Sequence, residues 1–217
     1  MRPHEIFLTG GTGYVGARLG AALAARGHRV RALTRTASVA RLPAGVAPVI
    51  GDALDGASYA TAVAPADTFV HLVGTPHPNP SKAAEFERVD LASARAAIDA
   101  ARGAGVAHLV YVSVAQPAPV MRAYIAARAR AEAHLRASAL NATILRPWYV
   151  LGPGHRWPYA LVPLYWLAER LPSTRENARR LGLVTIDEMV GALVRAVENP
   201  CVGVRVVEVP GIRGRLP

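Results

Sequence analysis

Apolar residues fall along the chain in short runs separated by longer stretches with helical spacing. Glu5 to Thr9, Arg29 to Thr34, Val46 to Ile50, Thr68 to Val73, Ala107 to Ser113, Asn141 to Leu145 and Val204 to Val209 read as strands. Between them, Val15 to Arg26, Asp55 to Ala64, Lys82 to Ala104, Met121 to Ala137 and Asp187 to Glu198 read as helices, with a further helix around Tyr159 to Arg170. This alternation is the mark of βαβ units built around a parallel sheet. Thr68 to Val73 is almost wholly apolar, so it is expected at the sheet's centre, covered on both faces. Gly27 stops the first helix, and the three prolines between Gly74 and Ser81 impose a loop. The expected architecture is α/β: one domain spanning 1–217, a doubly wound parallel sheet with helices on both faces. A reduced substrate-side region is expected over about 148–185.

Composition narrows the function. The chain has 217 residues, 52% of them hydrophobic, enough for a sizeable core and against disorder. Its single cysteine, Cys201, excludes an internal disulfide framework and a multi-cysteine zinc site. The seven histidines show no metal-like pairing, so no metal site is expected. The amino terminus lacks a signal-peptide apolar core, and no uncharged run is long enough to span a membrane, which points to the cytoplasm. The apolar stretch Trp157 to Ala168 reads as a buried helix, a pocket lid or a partner surface. Net charge is +10, and Lys82 is the sole lysine among 25 basic residues. The arginines are scattered and do not interleave with aromatics. They suit a phosphorylated ligand better than a nucleic-acid reader.

The strongest chemical signal is Thr9-Gly10-Gly11-Thr12-Gly13-Tyr14-Val15-Gly16, which follows a predicted strand and opens a predicted helix. Gly10 permits the turn, Gly13 lets backbone approach a pyrophosphate, and Gly16 lets the helix pack closely. The helix then offers free N–H groups to the phosphates, with Thr12, Tyr14 and Val15 beside them. With this turn the sheet becomes a Rossmann sheet. The chain here resembles the short-chain dehydrogenase/reductases, in their extended and atypical NAD(P)H-binding, NmrA-like branch. Asn141-Ala142-Thr143-Ile144-Leu145-Arg146-Pro147 is similar to that family's sixth strand and its Arg-Pro end. The resemblance covers roughly residues 4–155 and touches Val184 to Met189 again.

The end of the second strand chooses the nucleotide. It carries no Asp or Glu; Arg35 stands there, with Thr36 and Ser38 as hydroxyl donors. A guanidinium can meet a 2′-phosphate with two hydrogen bonds, so NADP(H) is expected ahead of NAD(H). The alternative for Arg35 is a solvated surface residue in an arginine-rich chain. The resemblance places Asp52 at the adenine edge, where it also reads as a plain turn residue. Val73 and Gly74 are expected at the carboxyl end of the fourth strand, and the resemblance implies that Pro147 lies beside the nicotinamide.

The family uses a Ser, a Tyr and a Lys. The matching stretch is Tyr124-Ile125-Ala126-Ala127-Arg128, so Tyr124 is present and arginine replaces the lysine. Arg128 keeps the positive charge that would favour phenolate but cannot relay a proton. Ser113 is the candidate hydroxyl, reading otherwise as a strand-end residue; Ala115 holds the alternative position. Asp90 falls where many relatives carry Asn. The expected function is NADP(H)-dependent oxidoreduction of a small organic carbonyl or alcohol. Against it stands a non-catalytic NADP(H)-binding redox sensor or scaffold. The resemblance also implies a possible homodimer through the helices at Lys82–Ala104 and Met121–Ala137.

Overall fold

The computed structural model describes residues 2–153 and 180–214. The expected helix at Tyr159–Arg170, the stretch Trp157–Ala168 and most of the region 148–185 lie outside them. Seven strands form one parallel sheet: β1 (Glu5–Thr9), β2 (Arg29–Thr34), β3 (Val46–Ile50), β4 (Thr68–His71), β5 (His108–Val112), β6 (Ala142–Arg146) and β9 (Val204–Glu208). Their order is β3-β2-β1-β4-β5-β6-β9, so the chain reverses direction across the sheet between β1 and β4. Ligands of open α/β sheets bind outside the strands' carboxyl ends at such a point. Two strands were not legible in the sequence: β7 (Tyr149–Leu151) and β8 (Leu183–Thr185) pair in a separate parallel ribbon of three residues each.

Strand alternation divides the core in two. Ile6 and Leu8 point to one face, under α1 (Tyr14–Ala25) and the late helix α6 (Ile186–Glu198), with Val70, Val110 and Leu145. Phe7 points to the other face with Phe69, Leu109, Tyr111 and Ile144, under α4 (Ala92–Gly103) and α5 (Arg122–Ala137). Both faces are covered, as an all-parallel sheet requires. The capping box at Thr185 and Glu188 starts α6.

Two expected helices are broken. Over Asp55 to Ala64, a 3-10 turn (Gly56–Ser58) precedes the short α2 (Ala60–Val63). The break frees Tyr59 to place its ring 5.9 Å from that of Phe7, fully buried. Over Lys82 to Ala104, a single-turn α3 (Ala83–Glu85) leads into a π-helical segment, Phe86–Leu91, and then α4. That wider turn buries Phe86, Asp90 and Leu91 together. β9 ends at Glu208, and Val209 opens the short α7 (Val209–Ile212).

Two strand histidines are buried among neutral partners. His71 Nδ1 lies 2.8 Å from the Thr9 hydroxyl, and His108 Nε2 lies 3.1 Å from that of Thr143. Burial, with Arg128 adding to it, pushes the His71 pKa down to about 3. Burial, then Arg205 and His4, pushes that of His108 down to about 4. Below about pH 6.5 the unfolded chain protonates these rings and the folded chain does not. Stability is therefore expected to hold above about pH 6.5 and to fall towards pH 4, by roughly 1 kcal/mol per pH unit per histidine. Urea unfolding across this range checks it; replacing either histidine by a non-titrating residue should flatten the slope.

Candidate active site

The glycine turn builds the first half of the site. Gly10 has φ +79, and a Cβ there would stand 2.9 Å from the Leu72 carbonyl carbon. Gly13 caps α1 without a side chain, and no acidic residue occupies the helix's first turn. The α1 amide groups are thus left for an anion. At Gly16 a Cβ would stand 2.1 Å from the Gly10 carbonyl oxygen. The third glycine is therefore needed against the turn itself, more tightly than against the strands.

This turn opens into a cleft of about 460 Å³ at the crossover between β1 and β4. Of the expected cofactor residues, Gly10, Thr12, Gly13, Arg35, Asp52, Val73 and Gly74 line it. Tyr14, Val15, Gly16, Thr36 and Pro147 do not. Tyr14 packs at Gly152 and under Arg18, and Pro147 is buried, its carbonyl accepting from Ala115 N–H at 2.9 Å. Leu33, Ala53, Leu54 and Val89 also line the cleft and were not foreseen; they are apolar residues from β2, the turn after β3 and the π-helical segment, with no motif to mark them.

Arg35 is exposed, and among the described residues its guanidinium makes no hydrogen bond or ion pair. It caps the 3-10 turn Thr36–Arg41, whose Ser38 also lines the cleft. Arg41 reaches back to the Thr12 carbonyl at 3.3 Å, a contact the sequence did not suggest. Asp52 lines the cleft, and its Oδ1 accepts from Leu54 N–H at 2.9 Å, as in a turn.

The second half lies at the Gly74 end. Arg128 is buried, and its guanidinium sits 5.3 Å from the centre of the Tyr124 ring. Its Nη2 donates to Asp90 Oδ1 at 2.6 Å, and its Nη1 to the Val112 carbonyl at 2.9 Å and the Tyr111 hydroxyl at 3.4 Å. Its Nε is buried without a partner among the described residues. Burial opposes the charge on Arg128, but Tyr124, Tyr111 and Asp90 outweigh it and hold the pKa above the usual arginine value. Burial raises the Tyr111 hydroxyl, against the pull of Arg128. Tyr124 is half-buried, its ring 5.0 Å from that of Phe86. It is not among the residues lining the cleft and joins it through Arg128, which abuts Gly74.

Ser113 is buried, and its hydroxyl donates to Glu132 Oε1 at 2.6 Å. Glu132 also accepts from Gln116 and twice from Arg146, at 2.9 and 2.6 Å, which ties α5 to the ends of β5 and β6. As placed, Ser113 commits its proton to a carboxylate. Among the described residues no group of acidic, histidine and cysteine side chains could hold a metal ion, and no helix is long and apolar enough to cross a membrane.

These features fit a dinucleotide: a cradle that any Cβ would fill, an unobstructed helix amino terminus and an unpaired arginine at the end of β2. A family model described as NAD(P)H-binding matches residues 10–158. The chain belongs to the NAD(P)H-binding short-chain dehydrogenase/reductases. A ceramide reductase of Caulobacter vibrioides is 30% identical over 210 residues, covering 96% of this chain and 65% of that protein. A 3-diazoavenalumate denitrifying reductase of a Streptomyces species is 31% identical, covering 92% of this chain and 74% of that one. The chain therefore spans about two thirds to three quarters of these relatives. The Bordetella bronchiseptica enzyme WbmH in complex with NAD+ superposes with TM-score 0.70 at 18% identity, over 94% of this chain and 75% of that one. A UDP-galactose 4-epimerase does so with TM-score 0.71 at 19% identity, over 94% and 76%. These structures share the Rossmann fold.

In the Gly16→Ala variant the added carbon would force the turn open. Cofactor affinity is expected to fall about tenfold or more, and stability by about 1–3 kcal/mol, checked by calorimetric titration and urea unfolding.

Proposed function

We propose that this chain is an NADP(H)-dependent reductase acting on the carbonyl of a small organic substrate. The observation that carries the reading is Tyr124 lying beside the buried, permanently charged Arg128 at the Gly74 end of the cleft. The names of the two relatives, both reductases, support it. Arg35, with Ser38 beside it and Arg41 close by, would hold a ribose 2′-phosphate. An unpaired guanidinium matches that group in charge and geometry, and no Asp or Glu stands beside it at the end of β2. The α1 amide groups would hold the pyrophosphate, and Asp52 the adenine edge.

When bound, a reduced nicotinamide supplies hydride. The chain's own residues handle the proton. Tyr124 would donate its phenolic proton to the substrate oxygen as negative charge builds there. Arg128 would stabilise the phenolate left behind, and its unpartnered Nε would be the donor available to a ribose hydroxyl. Ser113 is given no proton transfer, because its hydrogen is held by Glu132. Pro147 would border the nicotinamide side from the end of β6.

A second reading keeps the cofactor and drops turnover. In it the chain is an NADP(H)-binding sensor or scaffold. The observation favouring it is that Arg128 and Ser113, two of three expected catalytic groups, already have carboxylate partners in Asp90 and Glu132.

NADPH is expected to bind more tightly than NADH, and Arg35→Ala to raise the NADPH Kd about tenfold while barely changing that of NADH. Fluorescence titration of both nucleotides reads this. Equal affinity for the two would remove the NADP(H) assignment. On a panel of carbonyl compounds, Tyr124→Phe should cut kcat about 100-fold or more with NADPH affinity unchanged. Tight NADPH binding with no turnover on any compound would favour the sensor.

A further inference from the structure

The two edges of the sheet differ at their middle residue. β3 and β9 are the outermost strands. In a parallel ladder, alternate residues turn their N–H and C=O groups to the neighbouring strand, and the residues between turn theirs outward. In β3, Gly51 N–H donates to the Thr34 carbonyl at 3.2 Å, and Ile50 stands beside Thr34. Val46, Pro48 and Ile50 therefore face outward. Pro48 has no N–H, so the middle donor of that edge is missing. In β9, the Gly203 carbonyl accepts from Ala142 N–H at 2.8 Å, and Val204 stands beside Ala142. Val204, Val206 and Glu208 therefore face outward, and the middle residue, Val206, keeps its N–H. Among the described residues no strand pairs with this outer edge.

The open edge is also apolar. Val204 and Val206 pack against the core under α4 and α5, and Val207 against the core under α6, and none of the three is fully covered. Val202, in the turn leading into β9, is 97% exposed. Beside the strand, a groove of about 660 Å³ lies between α6 and β9, lined by Ala192 and Ala196 of α6 and by Val207 and Pro210. Its two arginines are tied within the chain, Arg195 to the Ile212 carbonyl at 3.2 Å and Arg205 to the Asn199 carbonyl at 2.7 Å.

We propose that β9 is the contact strand of a two-fold dimer, pairing antiparallel with β9 of a second copy about Val206. In that register Val206 and the partner's Val206 form a hydrogen-bonded pair, exchanging both N–H···O bonds, and Val204 does the same with the partner's Glu208. Arg205 then meets the partner's Val207 on the groove side. No like charges fall directly opposite each other. The occupant is a second copy for two reasons. The outward residues complement themselves about a two-fold axis at Val206, as an isologous contact requires. The alternative within one chain type, β9 against β3 of the next copy, would build an open filament, and Pro48 withholds the donor it needs. The outer charges of the α4 and α5 region are already matched within the chain, Glu87 with Arg130 and Asp99 with His134. The β9 contact is independent of turnover at Tyr124.

Sizing chromatography with light scattering tests the proposal. The native chain is expected to elute with twice the mass of one chain. Val206→Pro removes an outward N–H, as Pro48 does in β3, and leaves the bonds from β9 to β6 in place. It is expected to elute as a monomer with a native circular dichroism spectrum, the dimer Kd raised about 100-fold or more. Should that variant not fold, hydrogen exchange on the native chain carries the test without a substitution. The Val206 amide should be protected in concentrated solution and lose that protection on dilution below the dimer Kd. A native chain that stays monomeric at its highest soluble concentration overturns the inference, whether the edge is then open, covered by its own chain or kept for another protein. A dimer that survives Val206→Pro unweakened also overturns it and puts the contact on another face.

Discussion

The ion pair between Asp90 and Arg128 is the constraint on which the second half of the site depends. Taking both ions out of water costs several kcal/mol each, which only close geometry and saturated hydrogen bonding can offset. The structure meets that demand almost completely. Asp90 accepts three hydrogen bonds, and Arg128 spends its two terminal nitrogens on a carboxylate, a carbonyl and a hydroxyl. Meeting it fixes everything nearby. The helix before α4 widens into a π turn that buries Asp90 with its neighbours, the loop after β4 presents Thr75, and residue 74 must lack a side chain. Nε of Arg128 is the one guanidinium nitrogen left without a partner among the described residues.

The other half answers to a different constraint, close backbone approach. Gly16 lies so near the Gly10 carbonyl that the turn and α1 behave as one rigid piece. Rigidity here means that the part of the cradle formed by Gly10, Thr12 and Gly13 needs no ordering when an anion arrives. Arg35 and the cleft-lining end of β2 stay open in contrast. The cofactor side is built with an unfilled cradle and an unpaired cation, while the Tyr124 side is built with charges already matched.

That contrast explains what could be read from the sequence. β1, β2 and β3 were legible to the residue, because each is a short apolar run with clear punctuation. The cradle was legible because its cause is local: Gly10, Gly13 and Gly16, spaced along seven residues. The place of Arg35 at the cleft was legible because it directly follows a strand whose end the sequence marks. The partners of Arg128 and Ser113 were not. Asp90 is 38 residues from Arg128, and Glu132 is 19 from Ser113, and no local pattern couples them. The π turn was invisible for the same reason, since its cause is the tertiary demand on Asp90. Tyr59 broke an expected helix because a ring in the core outweighs a weak local preference.

The arginine at position 128 then has a physical sense that composition alone does not supply. Exchanging a lysine for an arginine in a lysine-poor chain costs little on a surface, but inside a core the larger, always-charged group needs both space and a counter-charge. Gly74 supplies the space and Asp90 the charge. Glu132 does the same for Arg146, buried and bonded through two of that arginine's nitrogens. Both buried carboxylates thus stand where arginines enter at the carboxyl ends of the central strands. An aspartate within an otherwise apolar helix face, set against an arginine on a neighbouring helix, is therefore the feature that links this chain's composition to the chemistry its site can perform.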